Sequence, residues 1–180
     1  QCDVFPLPAA ADNLTLSNTQ IRNMSGAGVY STNFTINAWN NLITSCGTYA
    51  VALTGGGNYN FTHNTIANYW SFSQRSTESV FISNWAIAGN TINIYNLDTC
   101  NFNNCIIDGN QDDELALDFQ SGGTVNYTFK NCVIKATQTA TNDSHFINPC
   151  RNCSTGFSPN DDIYIPTLGS QAANYGDPSF

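Results

Sequence analysis

The feature that most constrains this chain is a degenerate repeat of roughly 23 residues. Five segments start on an apolar residue, pass an Asn-rich pair and reach an Ile five positions on: Leu16 to Ile21, Ala38 to Ile43, Phe61 to Ile66, Phe102 to Ile107 and Phe129 to Ile134. Two residues into each stand Asn18, Asn40, His63, Asn104 and Asn131. A second apolar stripe begins eight residues after the Ile, at Val29, Val51 and Leu115. Self-similarity at this period signals stacked units, each too small to close a core alone.

The apolar runs are short and β-rich: Leu14-Thr15-Leu16, Phe34-Thr35-Ile36, Tyr59-Asn60-Phe61, Val80-Phe81-Ile82 and Tyr127-Thr128-Phe129. Alternation puts Leu14 and Leu16, or Tyr127 and Phe129, on one face of a strand. Corners rich in Gly or Asn separate them, at Ser25-Gly26-Ala27-Gly28, Gly55-Gly56-Gly57-Asn58 and Gly122-Gly123. The physical reading is an all-β solenoid, a parallel β-helix of about five to seven coils, with coils about 4.8 Å apart. Asn at a sharp bend tolerates left-handed dihedrals, and its amide can bond the corner backbone and the Asn above. The segment spacings are 22, 23, 41 and 27 residues. The long step, which contains Ser71 to Thr99, is either one coil with a large excursion or two coils of which one is irregular. The expected organisation is an N-terminal lead over 1–13, coils over 14–149 and a closing loop over 150–180.

Charge limits the partners. Asp plus Glu outnumber Lys plus Arg 13 to 5, a net −8. Nucleic acid and anionic membrane surfaces call for a basic patch that five cations do not supply. No apolar run approaches a membrane span. Seven Cys in a Lys-poor, Asn/Thr-rich chain point to an exported protein. The odd count leaves one without an intrachain partner, and Cys2 is the natural remainder by position.

Several stretches resemble the right-handed parallel β-helix repeat proteins of bacterial cell surfaces, of secreted or lipoprotein type. Asn103-Asn104-Cys105-Ile106-Ile107-Asp108-Gly109-Asn110 resembles one coil of that group, with Glu114-Leu115-Ala116-Leu117 following at the usual place. Tyr127 to Ile134 resembles the next coil. Asp161-Asp162-Ile163-Tyr164-Ile165 and Leu168 to Asp177 resemble its closing element, with Gln171 where the family usually has Pro. The resemblance implies a right-handed helix. It also implies an exported protein, placed at the cell surface or outside the cell, and a chain that is the C-terminal part of something longer. Its partners would be a surface glycan or an outer-membrane protein. Pectate lyases and polygalacturonases share the fold, so the fold does not assign a reaction.

The acidic stretch Asp108, Asp112, Asp113, Glu114 and Asp118 is the first candidate for chemistry. Asp108, Asp112, Asp113 and Glu114 would be the ligands of a calcium ion, the one cofactor the chain suggests. As paired carboxylates, Asp112 and Asp113 would serve acid and base on a glycosidic bond. With Lys130 as the base that takes a sugar proton, the same carboxylates would make a lyase. The plain alternative is a solvated acidic turn. The only histidines, His63 and His145, lack the Gly-His-Gly setting of polygalacturonases. Trp39, Tyr69, Trp70, Trp85 and Tyr95 are candidates for a sugar-stacking surface. Tyr69, Trp70 and Trp85 flank the irregular stretch where a binding loop belongs.

Cys105 and Cys132 share a register in successive coils, within disulfide range as a pair or as a buried thiol stack; a Cys105–Cys132 disulfide is the expectation carried forward. Cys150–Cys153 is expected to be a local disulfide pinning the closing loop. Cys46 and Cys100 have no obvious mates. Three functions follow, in order: a non-catalytic surface or secreted protein, adhesin-like or a subunit of an outer-membrane assembly; a glycan-binding module; and a polysaccharide lyase or hydrolase centred on 108–118.

Overall fold

The computed structural model describes residues 13–137 and 143–179. The lead up to residue 12, with Cys2, lies outside the described residues. The chain winds as a solenoid with three strand positions per turn, all parallel to their neighbours one turn away. The first position holds the leading parts of β3 (Val29–Trp39) and β5 (Val51–Thr62), then β7 (Val80–Ser83) and β12 (Leu115–Asp118). The second holds β1 (Asn13–Ser17), the trailing parts of β3 and β5, β10 (Leu97–Asn103), β13 (Thr128–Lys130) and β15 (Phe146–Ile147). The third holds β2 (Gln20–Met24), β4 (Leu42–Cys46), β6 (Thr65–Asn68), β11 (Ile106–Gly109), β14 (Val133–Ile134) and β16 (Cys150–Arg151). The two sheets that run the whole length carry six rungs each, inside the expected range of coils.

The repeat segments are the junction between the second and third positions. Leu16, Ala38, Phe61, Phe102 and Phe129 end the second-position strands, and Ile21, Ile43, Ile66, Ile107 and Ile134 stack in the third. Between them Asn18, Asn40, His63, Asn104 and Asn131 all take φ between 51° and 54°, and Asn148 continues the column at 50°. These are left-handed dihedrals, which a short amide side chain tolerates better than a β-branched one. Some amides also bond along the column: Asn40 Nδ2 donates to Asn18 Oδ1 at 2.6 Å, and Asn148 Nδ2 to Asn131 Oδ1 at 2.8 Å.

One residue further on, the column turns inward. Asn41 donates to Asn64 Oδ1 (2.8 Å) and to the Leu16 carbonyl (3.0 Å), and Asn64 donates to the Ala38 carbonyl (3.0 Å). In the next two coils Cys105 and Cys132 take this slot. They are free thiols, not the expected disulfide. Cys105 Sγ donates to the Asn103 carbonyl at 3.3 Å, and Cys132 Sγ to the Phe102 carbonyl at 3.3 Å. The reason is geometric: a disulfide wants Cβ atoms about 3.8 Å apart, while in-register parallel strands hold them near 4.8 Å. Burial pushes the Cys132 thiol well above its ordinary pKa, so its sulfur behaves as a small apolar group with a weak donor. Cys46 and Cys100 are also buried and free. Cys150 and Cys153 are joined.

The core is built by the same stacking. Phe61, Phe102, Phe129 and Phe146 lie face to face at centroid steps of 4.8, 4.9 and 4.9 Å, and the first three are wholly buried. Phe61 pairs directly with Phe102, so the 41-residue step is a single coil. It carries two excursions. One runs from Tyr69 to Ser79. The other holds an antiparallel hairpin, β8 (Trp85–Ala88) with β9 (Thr91–Ile94).

The last rung, Cys150–Arg151, still pairs with β14. Beyond it the chain leaves the coils and runs back as a strap over the outer face of the third sheet. The strap then returns along the Asn corner: Asn104 donates to the Asp177 carbonyl (2.7 Å) and accepts from the Asp177 amide (2.9 Å). No helix among the described residues is long and apolar enough to cross a membrane.

Candidate binding cleft beneath the strap

On the third sheet the Ile column points inward, so the next residue of each strand points out. That outward column reads Arg22, Thr44, Ala67 and Asp108. The strap lies on it. Thr155 Oγ1 donates to Asp108 Oδ2 at 2.8 Å. Tyr164 rests 6.2 Å from the Tyr69 ring and 5.8 Å from Phe157, with its hydroxyl 3.5 Å from Ser45 Oγ. At the far end Arg22 pairs with Asp162, whose left-handed backbone (φ 57°) turns its carboxylate back onto the sheet.

Two open clefts remain on either side of Tyr69. The larger, about 550 Å³, lies between Trp70 and Phe72 on one side and Asp162 and Tyr164 on the other, with Arg22 and Asn110 also lining it. Trp70 is fixed there: its Nε1 donates to Ser73 Oγ (2.9 Å), its carbonyl accepts from Asn110 Nδ2 (2.9 Å), and its ring leans on Phe72 at 4.9 Å. Phe72 is 75% exposed. The smaller cleft, about 470 Å³, is lined by Tyr69, Asp108, Asp112, Lys135, Thr137 and Asn152 among others.

The acidic stretch is divided rather than gathered. Asp108 is buried, and accepts from Tyr69 Oη (2.8 Å), Thr155 Oγ1 (2.8 Å) and the Gly109 amide (2.8 Å). Burial, and then the Asp108 charge, push the Tyr69 phenol well above its usual pKa, so it stays a donor. Glu114 is wholly buried, in an ion pair with the equally buried Arg75 at 2.6 Å. Ser79 Oγ (2.7 Å), the Ser79 amide (2.8 Å) and the Gln111 amide (2.7 Å) complete its shell. Burial raises the Glu114 pKa, against the hydrogen bond and charge of Arg75. Asp113 accepts from the Thr137 amide and hydroxyl. Asp112 is exposed at the rim of the smaller cleft.

The four carboxylates expected to hold calcium are therefore not brought together, and no group of three or more possible metal ligands occurs among the described residues. The coil turns through Gly109 between Asp108 and Glu114, which sends the two side chains to different partners. The expected solvated turn forms only in part: Asp112 is exposed and Asp113 and Asp118 are half-buried, whereas Asp108 and Glu114 are buried. Lys130 lies in the second sheet, where its charge adds to the Ser179 hydrogen bonds that lower the pKa of Asp177; Asp113 follows the third sheet and faces Thr137.

Tyr69 and Trp70 do stand together. Trp85 does not line either cleft: it sits on the hairpin opposite Ile94. Trp39, on the second sheet, and Tyr95, beyond the hairpin, are likewise elsewhere. Arg22, Lys135, Thr155 and the cleft role of Asp162 and Tyr164 went unread in the sequence. The register that sets Arg22 in the Asp108 column was a usable signal; the fold-back of the strap had none.

The family model described as a right handed beta helix region matches residues 9–156. No curated protein and no solved structure matches the chain.

Proposed function

Since the chain belongs to the right-handed β-helix family, we propose that it is a non-catalytic, exported β-helix that binds a glycan in the cleft between Trp70 and the strap. The observation that carries this reading is the build of that cleft. Aromatic rings on both walls suit the apolar faces of sugars, and an ion pair and amides at its edges suit their hydroxyls. Trp70 is already fixed by its own hydrogen bonds, so binding orders little that is not ordered beforehand.

The carboxylates argue in the same direction. Glycosidic cleavage calls for two carboxyl groups flanking one bond. Here Asp108 and Glu114 are each saturated with a separate set of donors. A placement at the cell surface or outside the cell is supported by the Cys150–Cys153 disulfide and the scarcity of Lys.

The test is a panel of acidic and neutral oligosaccharides, read by titration calorimetry and by assay for new chain ends. The expected result is saturable binding without cleavage, weakened at least tenfold in Trp70→Ala with the melting curve unchanged. New chain ends that vanish in Asp112→Asn would overturn it in favour of the enzyme.

The hairpin supports a second reading, a subunit docked on a surface or outer-membrane protein. Ile87 and Ile92 pair on one face of it and are 63% and 60% exposed. Co-purification with such a partner, lost in Ile87→Asp, is its test.

A further inference from the structure

Among the described residues the strap covers the third sheet and not the second. On that second sheet Ile36, Ala38, Tyr59, Phe61, Cys100, Phe102 and Phe129 are buried, so their neighbours point outward. Among the outward residues, two straight columns carry no charge. One reads Asn13, Thr35, Asn58, Thr99; the other reads Thr15, Asn37, Asn60, Asn101, Thr128. Every position is Asn or Thr, and none is charged, on a chain of net charge −8. All are half-exposed or exposed.

From Asn37 to Thr128 the second column is tied into one ladder. Asn60 Nδ2 donates to Asn37 Oδ1 (3.3 Å), Asn101 Nδ2 to Asn60 Oδ1 (3.2 Å), and Thr128 Oγ1 to Asn101 Oδ1 (2.8 Å). An amide carries two donor hydrogens and two acceptor lone pairs. The ladder uses about half of each, so every Asn rung still offers a donor and an acceptor to whatever lies on the sheet, while Thr128, its one hydrogen given to Asn101, offers acceptors only. Behind it the Phe61–Phe102–Phe129 stack keeps the face flat. Rungs repeat at about 4.8 Å, and the two columns stand about 7 Å apart across the strands. Trp39, in the adjoining outward column, adds a 43% exposed ring.

We propose that this face binds an extended, neutral polysaccharide lying along the solenoid axis, about one sugar to a coil. A polymer of hydroxyl-bearing rings presents the same pattern at each step, as the columns do. The coil rise is comparable with the length of one pyranose ring in an extended chain. Charge favours the neutral class: an acidic polymer meets no cation in either column, only Lys130 at the end of the adjoining one, and is repelled by the net charge of −8. The ladder fixes its own side chains, so little rotamer freedom is lost on binding. The site does not depend on the cleft, which faces another way and would take a short segment.

Binding is measured by affinity electrophoresis and titration calorimetry, using soluble neutral β-glucan, xylan and mannan and their oligomers from two to eight sugars. Affinity for at least one series is expected to rise with length and level off near five sugars, the number of rungs in the longer column. Asn60→Lys, in mid-ladder, is expected to lose at least tenfold for the polymer. Thr35→Lys, which breaks no ladder bond, is expected to do the same, and it covers the case in which Asn60→Lys fails to fold. Trp70→Ala is expected to leave polymer binding within twofold. The proposal is overturned if no neutral polymer binds, if affinity is independent of length, or if Thr35→Lys folds and binds as before. It is also overturned if Trp70→Ala, rather than a column variant, removes the polymer; that last outcome would leave the cleft reading standing.

Discussion

Removing one partner of the Arg75–Glu114 pair is the sharpest test of how the irregular coil is held. Both side chains are wholly buried. Glu114 also takes donors from Ser79 and Gln111, and Arg75 Nη2 donates to the Asn68 carbonyl (2.8 Å) and Asn110 Oδ1 (2.5 Å). The pair thus ties the Tyr69–Ser79 excursion to the coil on which Trp70 depends. Deleting one member of a buried pair leaves an uncompensated charge and costs about 3–5 kcal/mol. For a chain of this length each kcal/mol lowers Tm by about 2–4 °C, so Glu114→Ala and Arg75→Ala should each melt roughly 6–20 °C lower.

The two variants part company with pH. In Arg75→Ala the orphan is a carboxyl whose pKa burial already raises in the intact protein. A folded-state pKa above the unfolded one means that stability is full below the unfolded value and falls as pH rises through the folded one. Arg75→Ala should therefore recover stability, relative to Glu114→Ala, as pH falls towards the carboxylate range. Glu114→Ala leaves a guanidinium, which does not discharge. Circular-dichroism melts across pH read both effects. A drop under about 3 °C in both variants, or parallel pH profiles, would refute the reasoning.

Other predictions follow from single contacts. A Cβ at Gly109 would stand 2.1 Å from Glu114 Oε1 and 2.7 Å from the Asn68 carbonyl, so Gly109→Ala should cost about 1–3 kcal/mol in urea unfolding, and a neutral result would contradict the packing of Glu114. Alkylation mapped by mass spectrometry should find Cys46, Cys100, Cys105 and Cys132 modified only after unfolding; a Cys105–Cys132 disulfide recovered from the native protein would refute the free-thiol stack. Hydrogen bonds from the Ser179 hydroxyl and amide hold the Asp177 pKa below its usual 3.8, so its contribution is present above that value and is lost as pH falls through the folded one. Hydrogen exchange should then show residues 176–179 loosening from Asn104 and Asn131 in acid before the core opens, and Asp177→Asn should remove that pH dependence.

Much of the coil was legible in the chain because its determinants are local and recur. The segment from Phe102 to Ile107 contains an inward Phe, a left-handed Asn and an inward Ile, and each neighbouring rung repeats the rule. Strand alternation and left-handed tolerance are properties of single residues, so recurrence of the pattern is enough to announce parallel stacking. The free state of Cys105 and Cys132 was not legible, since it turns on about an ångström between rung spacing and disulfide reach. The aromatic residues misled in the same way: Tyr69 and Trp70 meet at the cleft, while Trp39 and Trp85 are carried to other faces by corners whose angles the sequence does not state.

By itself, then, the sequence determined a stacked β-solenoid, its Asn corner, its inward Phe and Ile columns and the junctions between strands. Only the tertiary structure decided that the 41-residue step is one coil, that Arg75 answers Glu114 across 39 positions, and that Arg22 meets Asp162 across 140. The physical reason is the range of the interactions. Periodic preferences act within a turn or between identical rungs, whereas the fate of Asp108 and Glu114 depends on which distant donor the strap or the excursion delivers to a buried carboxylate.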